Sequence, residues 1–226
     1  MMKESLINLL INTDTFFRNA MEEEENFTIP VLIVLAVGII SAAYGYLIGR
    51  LTSQMMSAVT PGIESIILIS TILGAIIGTF VFWLIWAGVL YGFSAVFKGE
   101  GTFKRTLEFT GYGYLPQIIG SFITLAAAFE YLPEVKVPQI STAGIPTDQL
   151  GQVIQNAVST MMHDPAMVEL TQITVLITIV FLLWSANIWI FGIRHARKLS
   201  PRDGALCVGI PVIAYILYMI YNLGVS

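Results

Sequence analysis

Ionisable side chains are scarce in this sequence of 226 residues. Charged residues make up 12% of the chain, whereas a soluble globular domain carries about 25%. This shortage excludes an ordinary soluble domain. The net charge of −4 at pH 7 also excludes the basic profile of nucleic-acid-binding proteins, so no nucleic acid partner is expected.

Metal-binding and nucleophilic residues are equally sparse. The single cysteine, Cys207, forms no disulfide within the chain. The two histidines, His163 and His195, stand alone, whereas a zinc site needs several clustered ligands. No Gly-x-Ser-x-Gly turn occurs. We therefore expect no catalytic residue, no metal and no cofactor, and a protein that is not an enzyme.

Apolar residues dominate instead, at 56% of the chain with a mean hydropathy of +0.78. A helix needs roughly 20 apolar residues to cross a hydrocarbon core of about 30 Å. Backbone in lipid must satisfy its own hydrogen bonds, which a helix does. Five runs without a charged residue meet this length: Asn26–Gly49, Ser65–Phe97, Phe109–Phe129, Leu170–Ile193 and Gly204–Ser226. The sequence predicts an all-α polytopic membrane protein, a five-helix transmembrane bundle.

The predicted boundaries divide the chain into two parts. Residues 1–27 form an amphipathic cytoplasmic segment, whose helix at residues 4–20 lies on the membrane surface or packs against the inner end of the bundle. Residues 28–226 form the transmembrane domain. Its outer loop, 131–169, holds a second amphipathic helix from near Thr147, which docks on lipid or caps the bundle. The five spans lie near 28–49, 66–96, 111–130, 170–193 and 204–224.

The distribution of lysine and arginine predicts the orientation. Of the 11 such residues, nine fall on the side of the N-terminus, and Arg50 and Lys136 fall on the other. Cytoplasmic loops carry the excess of lysine and arginine. We expect a multi-pass protein of the cell membrane with a cytoplasmic N-terminus and an extracytoplasmic C-terminus.

Few polar side chains interrupt the spans, and no ionisable residue lies deep within one, which disfavours a proton-coupled pump. The candidate intramembrane polar contacts are Gln117, Asn187 and Asn222. Asn187, near the middle of the fourth span, is expected to bond to a neighbouring helix.

The second run of 33 residues is long for an upright helix, so it tilts, begins outside the membrane or bends near Gly88 or Gly92.

Three patterns leave alternatives open. The loop Arg194–Lys198 binds anionic headgroups or only sets the topology. The acidic run Glu22–Glu25 binds a basic partner or stays solvated. Glycines spaced four apart serve packing within the chain or a homo-oligomer face; the pairs are Gly45 with Gly49, Gly74 with Gly78, and Gly88 with Gly92.

Three further stretches resemble a known family. These are Asp14-Thr15-Phe16-Phe17-Arg18, then Phe27-Thr28-Ile29-Pro30 at the start of the first span, and above all Gly111-Tyr112-Gly113-Tyr114-Leu115-Pro116. Together with five spans, they resemble the Yip family of Ypt/Rab-interacting membrane proteins in its short prokaryotic form. The resemblance implies a five-helix bundle with a cytoplasmic N-terminus. It also implies a link to membrane trafficking, Rab GTPases and oligomers of related proteins, although this sequence lacks the Asp-Leu-Tyr-Gly-Pro type motif.

The expected function is that of a non-enzymatic membrane scaffold or adaptor, with Tyr112, Gly113, Tyr114 and Pro116 forming a bent element at a partner or oligomer face. The expected partners are membrane lipids, a second copy, and integral or peripheral membrane proteins. One alternative is a passive channel or small transporter lined by Gly113, Pro116, Gln117, Asn187 and Asn222. Another is a lipid-binding or membrane-shaping protein that acts through its amphipathic helices.

Overall fold

The computed structural model describes residues 2–57, 59–60, 62–140, 146 and 149–225, and within these the side chains of residues 6–224. Across these ranges the chain forms nine α-helices and no β-strand, which confirms the all-α prediction. The helices are α1 (Met2–Ile11), α2 (Thr13–Ala20), α3 (Thr28–Met56), α4 (Glu64–Val96), α5 (Phe103–Tyr112), α6 (Leu115–Tyr131), α7 (Leu150–Met162), α8 (Pro165–Ala196) and α9 (Pro201–Val225).

Five of these helices are long and apolar enough to cross a membrane, as predicted. They are α3, α4, α6 with the 3-10 turn Leu132–Glu134 that follows it, α8 and α9. Their outward surfaces are apolar: Ile66, Leu176 and Leu217 are 68%, 62% and 60% exposed. Large apolar residues in such numbers on the outside of a helical bundle indicate lipid as the surrounding solvent.

The spans are arranged as a ring. Helix α3 packs along α4 on one side and α6 on the other, α8 lies between α6 and α9, and α9 closes the ring against α4. Helices α1, α2 and α5 and the α8–α9 connection gather at one end, which we call the amino-terminal face. Helix α7 lies at the other end, the opposite face.

Most of the buried core lies toward the amino-terminal face. Its centre is built from large side chains with 0–4% exposure, namely Phe17, Trp83, Leu90, Phe109, Trp189 and Ile193. A smaller cluster of Leu132, Met161, Met167 and Leu170 lies at the opposite face. The bundle is therefore held most firmly where α5 and the N-terminal helices meet the spans.

The structure gives the bounds of the second and third spanning helices. The third spanning helix begins at Leu115 rather than at residue 111, because the chain breaks between α5 and α6. The long second run forms one continuous helix through Gly88 and Gly92. At 1.5 Å per residue a helix of this length extends about 50 Å, so it tilts or projects beyond the hydrocarbon core.

Both amphipathic segments pack onto the bundle. Residues 4–20 form two helices rather than one, and Leu9 and Phe17 are fully buried against the spans. Ile11 on the outer side of α1 remains 72% exposed, a position suited to the membrane interface. At the opposite face, α7 caps the bundle by burying Ala157 and Met161. Thr147, the expected start of that helix, lies outside the described residues.

The contact between α3 and α4 depends on close backbone approach. A Cβ atom at Gly45 would lie 2.9 Å from the carbonyl oxygen of Thr71, whereas a Cβ at Gly92 would meet nothing within 4 Å. We predict that Gly45→Leu lowers the free energy of unfolding by about 1–3 kcal/mol, the usual cost of overpacking. Gly92→Leu, the matched control, changes it little. Melting temperatures in detergent test this, and equal values for the two variants would contradict it.

Candidate functional site

The Gly-Tyr-Gly-Tyr-Leu-Pro stretch forms a sharp turn between α5 and α6. Tyr112 is the last residue of α5, and Leu115 is the first of α6. The amide groups of Gly113 and Tyr114 donate to the carbonyls of Thr110 and Gly111, at 3.2 and 3.1 Å. Pro116 falls at the start of α6, where a missing backbone N–H leaves no bond unmade. The expected break is therefore present, and the proline begins a helix rather than kinking one.

Two glycines let the turn lie directly against other helices. A Cβ at Gly111 would come within 2.7 Å of Pro30 in α3, and a Cβ at Gly113 would overlap the indole ring of Trp189 in α8. Any larger residue at either position would push the turn away from the spans. The glycines are thus required by close approach, and Gly113 lies against a helix of its own chain.

Two tryptophans bind the carboxyl end of α5. The indole nitrogen of Trp83 in α4 donates to the carbonyl of Leu107 at 3.0 Å, and that of Trp189 donates to the carbonyl of Thr110 at 2.8 Å. These two bonds attach α5 to the spanning helices α4 and α8. Sequence reasoning did not single out either tryptophan.

Aromatic rings connect this turn to the N-terminal helices. The ring of Phe16 lies 5.1 Å from that of Tyr112, and the ring of Phe17 lies 4.7 Å from that of Phe109. These pairs bring α2 against α5, so the Phe16-Phe17 stretch and the tyrosine turn of the family resemblance form one packed unit.

Charged groups fasten α2 to the end of α8. The carboxylate of Asp14 lies 2.9 Å from the Arg194 guanidinium and 2.8 Å from the Nε2 atom of His195. The hydrogen bond from His195 and the charges of Arg194 and Arg18 lower the pKa of Asp14 below its ordinary value of 3.8. This site therefore holds α2 with an ionised carboxylate.

The acidic run after α2 is attached to α5. Arg105 bonds to the Glu108 carboxylate at 2.8 Å and to the backbone carbonyl of Glu23 at 2.6 Å. Glu25 pairs with Lys104 at 2.9 Å. Burial raises the pKa of Glu108 above its usual range, against the opposing influence of Asn26 and Arg105. The run is therefore only partly solvated.

These attachments enclose a cleft of about 640 Å³ at the amino-terminal face. It is lined by Asn8, Asn12, Thr15, Phe16, Asn19, Ala20, Glu23, Glu24, Asn26, Ile29, Glu108 and Tyr112. Amide and carboxylate groups dominate this lining, and it contains no lysine or arginine. Tyr112 is only 6% exposed, and its hydroxyl has no hydrogen-bond partner among the described residues. Burial is the main cause that raises the pKa of the Tyr112 hydroxyl to about 12, so the hydroxyl stays protonated and can donate a hydrogen bond.

Arg197 shows a role that the sequence did not reveal. Its side chain is buried, donates to the Ser94 hydroxyl at 2.8 Å and to the carbonyls of Gly99 and Gly101, and lies over the ring of Tyr91 at 4.2 Å. It fastens the α4–α5 loop to the end of α8. With Arg194 also bound to Asp14, most of the charge in the Arg194–Lys198 loop serves internal contacts rather than lipid headgroups.

Comparison with known proteins agrees with this geometry. A family model described as the Yip1 domain matches residues 7–222, from the second half of α1 through the tyrosine turn and into the last turns of the fifth span. The chain belongs to the Yip1 domain family. It is also 41% identical over 135 residues to an uncharacterised protein of Methanocaldococcus jannaschii, covering 58% of this chain and 92% of that protein. No solved structure matches the chain.

The polar residues expected inside the spans do not converge in this Yip1-domain protein. Gln117 donates to the Ser185 hydroxyl of α8 at 3.1 Å, which is an interhelical bond. Asn187 instead lies exposed on the outward side of α8 and bonds to no neighbouring helix within the described residues. Asn222 is exposed and donates to the carbonyl of Tyr218 in its own helix. The five residues proposed as a channel lining therefore do not share a path.

The described part of the Yip1-domain chain holds no group of three or more histidine, cysteine, aspartate or glutamate side chains placed to bind a metal ion. His195 is bound to Asp14 at the amino-terminal face, and His163 ends α7 at the opposite face. The candidate site is built from the tyrosine turn, the N-terminal helices and the cleft between them.

The contacts of Asp14 in α2 with Arg194 and His195 in α8 lead to a prediction about pH. A carboxyl group whose pKa is lowered by folding stabilises the fold above its ordinary pKa, and this contribution is lost as the pH falls through the lowered value. Protection of the α2 amides against hydrogen exchange, corrected for intrinsic rates, should hold from neutral pH to about pH 4 and fall below it. Asp14→Asn should lower this protection at neutral pH and remove its acid dependence. An unchanged profile in the variant would show that Asp14 does not hold α2.

The contact of Gly113 with Trp189 predicts a large effect from a single methyl group. Gly113→Ala should lower the free energy of unfolding by about 1–3 kcal/mol, because the indole must move and lose its bond to Thr110. The control is Gly151→Ala, in a helix where a Cβ meets nothing within 4 Å, and it should stabilise slightly. Thermal melting in detergent compares them. Equal stability of Gly113→Ala and the parent would exclude the close approach.

Proposed function

We propose that this Yip1-domain protein is a non-enzymatic membrane scaffold that organises other membrane-associated proteins, in membrane trafficking or in membrane-protein assembly. Its cleft would hold a basic segment of an integral or peripheral partner. The observation that carries the proposal is the cleft itself, a polar and acidic recess of about 640 Å³ at the amino-terminal face of an otherwise apolar molecule.

The chemistry of the cleft supports a cationic partner. Glu23 and Glu24 are exposed, and their side chains form no ion pair within the described residues. Their unpaired charge attracts lysine or arginine and speeds the encounter with a basic segment. The asparagines and Tyr112 supply neutral hydrogen-bonding groups that would position a peptide backbone.

The attachments of the surrounding helices support the role of a scaffold with a preformed binding surface. Helices α1 and α2 are held by Phe17, by the Asp14 ion pairs and by the Arg105 bond to the acidic run. A preformed cleft avoids part of the ordering cost of binding. The excess of lysine and arginine at the same end supports a cytoplasmic position for the cleft, and the cell membrane is the proposed location.

The test is covalent cross-linking of the tagged chain in native membranes, with mass spectrometry of the linked peptides. We expect links between α1, α2 or the acidic run and a lysine- or arginine-rich segment of another protein. Glu24→Lys should reduce these links about fivefold, the effect of roughly 1 kcal/mol from one exposed charge. Glu22→Lys is the matched control, since Glu22 is exposed, unpaired within the described part and outside the cleft lining.

Two results would contradict the proposal. One is equal recovery of the partner with both variants, which would place the contact outside the cleft. The other is a chain that forms only links to itself in native membranes while carrying selective solute flux in liposomes, which would favour a channel.

A further inference from the structure

A second recess, distinct from the cleft, opens within the membrane-spanning part. It is a groove of about 400 Å³ between α4 and the helices α3, α6, α8 and α9. Helix α4 approaches α9 closely near its carboxyl end, where Cys207 bonds to the carbonyl of Leu90 and the rings of Trp86 and Tyr215 lie 5.7 Å apart. Earlier along α4 no helix covers this side. A Cβ at Gly74 or Gly78 would meet nothing within 4 Å.

The groove opens sideways toward lipid rather than toward water. Its lining residues come from the central parts of α3, α4, α8 and α9 and from the start of α6. Phe82 at its edge is 48% exposed and Gly74 is exposed, so the opening lies on the apolar outer surface of the bundle. None of the lining residues is ionisable at neutral pH. A molecule in this groove would therefore enter from the membrane and carry no charge in its buried part.

The groove also contains hydrogen-bonding groups without partners. Tyr114 and Trp86 are only 7% and 8% exposed, and neither the tyrosine hydroxyl nor the indole N–H bonds to another group in the described residues. By contrast, the indoles of Trp83 and Trp189 both donate to carbonyls. A polar group left unpaired in an apolar environment is unfavourable by several kcal/mol in hydrocarbon-like surroundings.

The polar lining continues into the bundle. Ser41, Gln117, Ser121 and Thr178 line both the groove and an adjoining cavity of about 220 Å³ between α3, α6 and α8. Thr174 lines that cavity, and its hydroxyl oxygen is buried without a hydrogen-bond partner. The wall between the two spaces therefore offers several hydroxyl and amide groups to a polar atom placed there.

We propose that the groove binds a neutral membrane lipid. Its uncharged hydroxyl or carbonyl oxygens bond to Tyr114, to Trp86 and to the hydroxyl and amide groups of the wall. Its acyl chain extends past Gly74 and Gly78 into the bilayer. An anionic phospholipid headgroup does not fit, because no lysine or arginine lines the groove. A second copy of the chain could bring its own helix to the two glycines, but an apolar helix would leave the tyrosine and the indole unpaired.

The test uses purified full-length protein in phosphatidylcholine liposomes containing a photoactivatable, clickable diacylglycerol. Labelling is expected on peptides that line the groove, with competition by excess unlabelled diacylglycerol and none by phosphatidic acid with the same chains. Gly78→Leu fills the groove and should reduce labelling at least about tenfold, a loss equivalent to roughly 1.4 kcal/mol. Gly88→Leu is the matched control, since it lies on the same helix, has open space and does not line the groove.

Tyr114→Phe tests the polar contact separately. Removing an unpaired hydroxyl should not harm the fold, so melting temperature stays unchanged while labelling falls about three- to tenfold, the usual effect of one hydrogen bond. Equal labelling of Gly78→Leu and Gly88→Leu, or equal competition by phosphatidic acid, would overturn the proposal. So would loss of chain-to-chain cross-links in Gly78→Leu with lipid labelling intact, which would assign the groove to a second copy. Each readout is independent of the cleft and its basic partner.

Discussion

The fold depends on how one helix ends inside the protein. Helix α5 ends in a buried turn, where the carbonyls of Thr110 and Gly111 accept from the amides of Gly113 and Tyr114. The indole groups of Trp83 in α4 and Trp189 in α8 donate to the carbonyls of Leu107 and Thr110, at 3.0 and 2.8 Å, and so attach this helix to two spans. Since the turn also needs glycine where it meets α3 and α8, the position of three spans is fixed by one short segment. The N-terminal helices then pack against the same segment through Phe16 and Phe17.

Much of this arrangement follows from the sequence for a simple reason. Charge-free runs of sufficient length have only one stable form in lipid, so the five spans could be predicted without any tertiary information. The turn before Pro116 was also predictable, because proline and closely spaced glycines interrupt a helix. The residue pattern of the turn was specific enough to indicate the family. These features are local, and local sequence specifies them.

The features that the sequence did not reveal all depend on the rotation and pairing of helices. The spans are apolar on every side, so nothing in the sequence indicates which side of α8 faces its neighbours, and Asn187 proved to face outward. Arg197 resembles any other basic loop residue until the chain folds and the loop before α5 surrounds its guanidinium. Trp83 and Trp189 resemble ordinary apolar residues of a span. Their importance comes from a carbonyl on another helix, which sequence patterns do not indicate.

The two tyrosines of the turn explain how one short motif can serve two environments. Tyr112 ends α5 and faces the polar cleft at the amino-terminal face, whereas Tyr114 precedes α6 and lines the intramembrane groove. Gly113 stands between them and lies against the Trp189 indole, which also lines the groove. Because that indole bonds to the carbonyl of Thr110 in α5, a displacement of Trp189 by a molecule in the groove would be transmitted to the helix that carries Tyr112 and Glu108. Trp189 therefore forms a direct contact between the wall of the groove and the helix that lines the cleft, which is the kind of contact through which two sites can be coupled.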